Sequence, residues 1–169
     1  MKKQPVPTVN TIQWETWKPT EYAVLCFIRY EQSIMLIRKK RGLGAGKING
    51  PGGRIEPGET AIEAAIRETQ EEIGLTPHSP QEMGQLFFEF TDGYLLHGRI
   101  FCSQGYTGNP IETDEAIPFW CDESQIPYHD MWADDQYWLP WVLKNKYIKG
   151  YFTFDNDTML SRKVEIFNR

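Results

Sequence analysis

Glu68, Glu71 and Glu72 stand within five consecutive positions, next to Arg67 and downstream of Glu59. At about 100° per residue Glu68 and Glu72 fall side by side as an i,i+4 pair, with Glu71 completing the cluster on the same flank. Like charges at that spacing repel by roughly 0.2–0.5 kcal/mol per pair, so the arrangement loses stability unless a cation offsets it. Arg67 can offset part of it. A solvated acidic face would also explain several glutamates on one helix. Against that, Glu68 and Glu72 border the apolar stripe, and a glycine-rich loop, Gly50-Pro51-Gly52-Gly53, immediately precedes the helix. Clustered carboxylate oxygens beside exposed backbone suit Mg²⁺, which prefers oxygen ligands, keeps several waters and bridges to substrate phosphates.

Upstream, Arg38 to Gly53 holds six glycines together with Arg38, Lys39, Lys40, Arg41 and Lys47, a combination suited to an anionic ligand. Two common phosphate motifs fail there. Gly46-Lys47 is followed by Ile48 instead of Ser or Thr, and Arg41 stands where a P-loop needs its first glycine. Gly42-Leu43-Gly44-Ala45-Gly46-Lys47 lacks the third glycine of a dinucleotide fingerprint. Acids beside a basic loop point to metal-assisted phosphate chemistry.

These residues must be positioned by a small number of elements. Thr60 and Glu63 have capping-box spacing after Pro57-Gly58, and Gly74 ends the pattern, which predicts a helix over 61–73 whose inward stripe is Ile62, Ala65, Ile66, Thr69 and Ile73. Strands are predicted over 22–30, 34–37, 86–90, 94–102 and 119–121, and a hairpin over 150–154 and 159–167 across Asp155-Asn156-Asp157. Asp134 or Asp135 is positioned to cap a second helix reaching about Lys146, bent by Pro140. Residues 1–20, with Pro5, Pro7, Pro19, Trp14 and Trp17, suit an extended N-terminal arm whose tryptophans dock on a main domain over 21–169. Trp120, Trp138 and Trp141 are assigned to the core, and His78, His97 and His129 to ordinary surface or satisfied positions.

A chain of 169 residues with 40% hydrophobic and 14% aromatic content is long and apolar enough for one packed domain. Its formal charge of −5 disfavours duplex nucleic acid and anionic membranes as partners. Cys26, Cys102 and Cys121 are an odd set without metal-ligand spacing and read as free thiols. No apolar run has the length of a membrane span, and the start is polar, so a soluble, cytoplasmic and monomeric protein is expected.

The run from Gly53 through Glu59 to Arg67-Glu68-Thr69-Gln70-Glu71-Glu72-Ile73-Gly74-Leu75 resembles the Nudix box, G-x5-E-x7-R-E-U-x-E-E-x-G-U, in register. Thr69 departs from it, keeping the branched shape of an aliphatic but adding a hydroxyl. The resemblance implies an α/β fold, the Nudix α/β/α sandwich with a mixed β-sheet. It also implies a hydrolase that cuts nucleoside diphosphate linkages with a divalent metal, Mg²⁺ with Mn²⁺ as the alternative. By the same resemblance Glu68, Glu71 and Glu72 are the catalytic metal-binding acids, and Glu59 and Arg67 their structural support.

Outside the box, Lys39 to Gly50, Asp130 to Trp138 and Lys149 to Phe152 are similar to the MutT-related oxidised purine nucleoside triphosphate hydrolases. That likeness implies 8-oxo-dGTP or 2-hydroxy-dATP as the type of substrate, with Lys39, Asn49, Phe88, Trp132, Asp134 and Asp135 around it. It implies the Gly52 carbonyl and Glu115 as further metal ligands. The residue types suit a purine: Trp132 offers a stacking face, Asn49 donates and accepts, and adjacent acids present different patterns according to which holds a proton. The plain alternative is that Asp134 only caps a helix and Trp132 is core. Leu43, Ile48 and Pro51 replace aromatic residues of that group, which alters the pocket's shape. Rival functions are hydrolysis of a nucleotide sugar, dinucleoside polyphosphate or RNA 5′ end, and a catalytically silent nucleotide-binding regulator.

Overall fold

The computed structural model describes residues 7–168; residues 1–6, including part of the expected arm, lie outside them. A mixed sheet forms the middle layer. β1 (Glu21–Tyr30) pairs in parallel with β7 (Leu95–Ser103), and β6 (Gln81–Phe90) in parallel with β10 (Tyr147–Asp155). Antiparallel pairings add β2 (Ser33–Lys39), β3 (Ile48–Asn49), β4 (Gly52–Arg54), β9 (Ala116–Asp122) and β11 (Thr158–Phe167). Along the main path the order is β11-β10-β6-β7-β1-β2-β3, with β4 on β1 and β9 on β2. A separate pair, β5 (Thr76–His78) and β8 (Gly105–Thr107), follows α1 and β7.

The two helices lie on opposite faces because β1 alternates. Val24 and Cys26 pack with Ala61, Ala64, Ala65 and Phe101, on the side of α1 (Ala61–Ile73). Phe27, one residue on, joins Leu86, Ile100, Phe152 and Phe154 under Trp138, Leu139 and Val142 of α2 (Asp135–Leu143). The result is the expected α/β/α sandwich. On the α1 side, Trp14 and Trp17 extend the outer layer: Trp14 lies 4.9 Å from the Tyr151 ring, and Trp17 meets Phe87 edge-on at 5.9 Å.

The capping box forms as its spacing requires. Thr60 Oγ1 accepts the Glu63 N–H, and Glu63 Oε1 accepts the Thr60 N–H, each at 3.2 Å. Gly74, at φ +77°, closes the helix with its N–H on the Gln70 carbonyl. Ile62, expected inward, is 48% exposed, and the buried stripe runs through Ala61, Ala64, Ala65, Thr69, Glu72 and Ile73. The alanines let the helix approach β1 along their side, and that rotates the contact stripe toward Glu72.

Four other expectations are corrected. Asp134 makes no capping bond; its Oδ2 accepts the Trp138 indole N–H at 2.8 Å instead. The second helix ends at Leu143, before Lys146, because Asn145 turns left-handed at φ +63°. Trp120 and Trp141 are more than a third exposed, one against Tyr30 and Tyr106 on β9, the other beneath the Lys144 ammonium. The short strands β3, β4, β5 and β8 were not anticipated, since two or three residues carry no periodic signal. All three cysteines are free thiols, with Cys26 buried. Among the described residues no helix is long and apolar enough to cross a membrane.

Candidate active site

One cavity of about 550 Å³ runs between the C-terminal part of α1, the basic loop and the start of α2. Its acidic end is built where β4 meets β1. A Cβ on Gly52 would lie 2.0 Å from the Val24 carbonyl oxygen, and one on Gly53 would lie 2.3 Å from the Glu68 carboxyl carbon. Only glycine lets β4 pair this closely while Glu68 rests against its backbone. The Gly52 N–H, in turn, donates to Glu72 Oε1 at 3.2 Å.

Arg67 organises the flank away from Glu72. Its guanidinium clasps Glu59 through Nε at 2.6 Å and Nη2 at 2.9 Å, and Nη1 reaches Glu68 at 2.8 Å and Glu71 at 3.1 Å. Nη2 also donates to the Arg54 carbonyl at 3.0 Å. Hydrogen bonds from Arg67 hold Glu59 down at about 2, and the same contacts raise the guanidinium further above its ordinary range. Burial pushes Glu68 up against the opposing pull of Arg67.

Glu72 has no such partner. It is 4% exposed, and burial lifts its carboxyl to about 7, with the Gly52 amide and Lys39 pulling down and Glu115 and Glu68 pushing up. Thr113 ties the next acid into place: its Oγ1 donates to the Glu72 carbonyl at 2.7 Å and accepts the Glu115 N–H at 3.2 Å. Glu115 Oε1 meets Arg41 at 3.2 Å on the rim.

Glu68, Glu72 and Glu115 therefore line one cavity together with Gly52 and Lys39. Glu71 does not. Its side chain is 61% exposed and turned to Arg67. Among the described residues no three acids or other ligand side chains are gathered into a closed metal cage. A hard cation that keeps several waters needs only one or two carboxylates directly, and Glu68 and Glu115, whose charges push the Glu72 carboxyl up, stand with it on the same cavity wall. The residues fit a divalent ion of that kind.

The opposite end is aromatic and carries the two aspartates. Phe88 stacks on Phe152 at 5.5 Å, and Trp132 stands at 84° to Phe154 at the same distance. The basic loop folds onto Trp132: Lys47 Nζ lies 5.4 Å from the ring, and a Cβ on Gly44 (φ +82°) would lie 2.7 Å from the indole nitrogen. Asn49 lines the cavity with its Oδ1 held by the Gly50 N–H at 2.9 Å. Asp134 and Asp135 are 2% and 4% exposed, and Oδ1 of the first and Oδ2 of the second have no hydrogen-bond partner. Burial pushes both carboxyls up, and the neighbouring Asp134 charge adds to the effect on Asp135.

The predicted residues that line the cavity come from several separate stretches of chain, with Glu68 and Glu72 sharing α1 and Trp132, Asp134 and Asp135 sharing the entry to α2, and the structure adds others. Tyr94, Leu96 and Gly98 come from β7 and the turn before it, Phe90 from β6, and Arg54 and Glu56 from β4 and beyond. The Tyr94 hydroxyl donates to Glu21 Oε2 at 2.5 Å, and Glu21 Oε1 pairs with Arg54 at 2.8 Å. Phe90 could have been found by alternation from Phe88, and Gly98 by alternation from Leu96. Tyr94, Glu21 and Arg54 meet through sheet pairing and leave no mark in local sequence.

The fold, the box and the carboxylate-lined cavity define a Nudix protein, and the NUDIX domain family matches residues 19–142. The chain belongs to that family, whose hydrolases work with a divalent metal. It is 43% identical over 134 residues to an oxidized purine nucleoside triphosphate hydrolase of Danio rerio, covering 78% of this chain and 86% of that protein. Identity to the Mus musculus protein of the same name is 40% over 148 residues, covering 85% and 95%. Among solved structures it is similar to a MutT protein from Bacillus halodurans, with a TM-score of 0.77 at 23% identity, covering 86% of this chain and 97% of that one.

Proposed function

We propose that this chain is a Mg²⁺-dependent Nudix pyrophosphohydrolase that converts oxidised purine nucleoside triphosphates, of the 8-oxo-dGTP and 2-hydroxy-dATP type, to monophosphate and pyrophosphate. The observation that carries the reading is the division of one cavity between glutamates paired with Arg67 or gathered beside Gly52 at one end and, at the other, two buried aspartates that each keep one oxygen without a hydrogen-bond partner. The names of the two relatives agree with it.

In this reading Glu68, Glu72 and Glu115 would hold the ion with the Gly52 carbonyl, and Glu71 stands beside them on the Arg67 flank. A bound divalent ion supplies charge neutralisation on the phosphate oxygens and lowers the pKa of attacking water. Arg67 keeps Glu59 and Glu68 in fixed orientation. Lys39 counters phosphate charge. Burial lifts the Glu72 carboxyl to about 7 in the metal-free protein, and a divalent ion held there would favour its ionised form, so ion binding at Glu72 would release a proton as pH falls toward 7. Water adds at phosphorus, and the bond to the leaving phosphate oxygen breaks. At the other end Trp132 and Phe88 flank the base, while Asn49, Asp134 and Asp135 meet its polar edge. A protonated aspartate donates and an ionised one accepts, so the pair can match more than one oxidised edge.

We further read the protein as a monomer that acts on free nucleotides in the cytoplasm, with residues 1–20 as an arm and 21–169 as the catalytic domain. The test is product-resolved turnover of 8-oxo-dGTP, 2-hydroxy-dATP, dGTP, a nucleotide sugar and a dinucleoside polyphosphate with Mg²⁺. The reading expects monophosphate and pyrophosphate from the oxidised purines first. Preference for the sugar or the dinucleoside, or binding without turnover, would overturn it.

A further inference from the structure

Glycines inside strands are expensive, because they loosen the strand and bring no side chain to pack. In this sheet most have a visible reason. A Cβ would lie 2.0 Å from Val24 O at Gly52, 2.7 Å from Ile148 O at Gly84 and 2.6 Å from the Phe152 ring at Gly150. Gly98 is different. It lies inside β7 between Ala23 of β1 and Leu86 of β6, its backbone is not left-handed, and an added Cβ would meet only Leu86 Cβ at 3.8 Å, an ordinary contact. Beyond its chain neighbours no other atom comes within 4 Å of that added Cβ, and Gly98, though buried, lines the cavity.

Ala23 is the cross-strand neighbour of Gly98 and lines the same wall. Two of the smallest residues thus sit side by side, one strand spacing of about 4.8 Å apart, where aliphatic side chains would otherwise stand. The missing atoms leave a depression bounded by Leu86, Phe88 and Leu96, all apolar. Its chemistry selects a hydrocarbon group, and its width of two side-chain positions exceeds one methyl.

We infer that Gly98 is a specificity-determining residue: the depression over Ala23 and Gly98 admits an apolar substituent larger than methyl on the base, which extends the substrates to purine nucleotides bearing hydrocarbon adducts. The inference rests on the reading of the Trp132 and Asp135 end as the base site. Glycine here exchanges strand stability for cavity space, so the two effects of filling it have opposite signs.

The experiment compares purine deoxynucleoside triphosphates carrying benzyl at N2, at the 6-position or at C8 with 8-oxo-dGTP, using wild type, Gly98→Ala and Gly98→Val. Wild type is expected to turn over at least one benzylated nucleotide with kcat/KM within about tenfold of 8-oxo-dGTP. The ratio of the two kcat/KM values should fall stepwise from Gly to Ala to Val, by roughly 10–200-fold for Val. Gly98→Ala should raise Tm by about 1–4 °C, the opposite of what a structurally required glycine would give. Rejection of every benzylated nucleotide by an enzyme that does hydrolyse 8-oxo-dGTP overturns the inference alone, as does an unchanged ratio in Gly98→Val or a lowered Tm in Gly98→Ala. Failure to hydrolyse 8-oxo-dGTP as well overturns the base-site reading beneath it.

Discussion

Glu68 on α1 and Asp135 at the start of α2 line the same cavity, and burial raises both carboxyls, yet their neighbours differ. Glu68 is bound by Arg67 at 2.8 Å and stands among other charged groups, with Glu59 and Glu71 on the same guanidinium. Asp135 is buried beside a second acid, with an oxygen that meets no donor. A buried carboxyl without a cation lowers its energy by keeping its proton. The same functional group is thus paired with a cation at one end and set beside a second acid, with one oxygen unpaired, at the other. Glu72 lies between these regimes, buried but within reach of Lys39 and the Gly52 amide.

The contrast breaks most visibly at Glu72. Glu72→Gln keeps shape and removes charge, so turnover of 8-oxo-dGTP should drop about 10²- to 10³-fold while circular dichroism and Tm show an intact fold. Near-wild-type kcat would remove the acidic end from the chemistry. Asp135→Asn should act on choice of base: the 8-oxo-dGTP to dGTP ratio of kcat/KM should change by roughly 10–100-fold, because one edge pattern is then fixed. An unchanged ratio would return Asp135 to a purely structural part.

Stability against pH sharpens the comparison. Asp135 is held well above its ordinary value of 3.8, so the folded protein binds that proton more tightly than the unfolded chain. Its contribution is fully present below pH 3.8 and is lost as pH rises through the folded-state pKa. Asp135→Asn cannot lose it. Its Tm advantage over wild type should be smallest at pH 4 and grow as pH rises toward 8, measured by scanning calorimetry. A constant difference across that range would contradict a proton-holding pair.

The smallest effect belongs to Thr69, the departure from the Nudix box. Its hydroxyl donates to the Ala65 carbonyl at 2.7 Å within the helix and also meets the Cys26 thiol, away from the cavity. Thr69→Val should leave kcat within about twofold and shift Tm by no more than about 4 °C. A tenfold loss of kcat would bring that face of α1 into the site.

The acidic end was legible because it is local. Thr60, Glu63, Arg67, Glu68 and Glu72 lie on one helix, where spacing alone decides which side chains meet. What spacing could not give was the rotation of the helix, set by alanines against β1, which exposes Ile62 and buries Glu72. Nor could it show that Glu71 turns to Arg67 and away from the cavity. Glu115 is brought beside the acids by Thr113, which bonds the Glu72 carbonyl across 41 residues of sequence. At the base end, adjacency of Asp134 and Asp135 is visible in sequence, but their burial depends on packing by Trp138 and β10, and residue type alone allowed a simple helix cap. Trp120 and Trp141 show the limit of composition: large apolar residues on an edge strand or an outer helix face remain exposed when a neighbouring ring or ammonium covers part of them.

The division of labour between the two acid groups is tested most directly by Mn²⁺ binding, followed by electron paramagnetic resonance on protein holding a non-hydrolysable purine triphosphate analogue. The account predicts uptake of at least one ion per chain, weakened about 10- to 100-fold by Glu72→Gln and unchanged by Asp135→Asn. No uptake by the wild-type complex, or equal weakening by both substitutions, would contradict it.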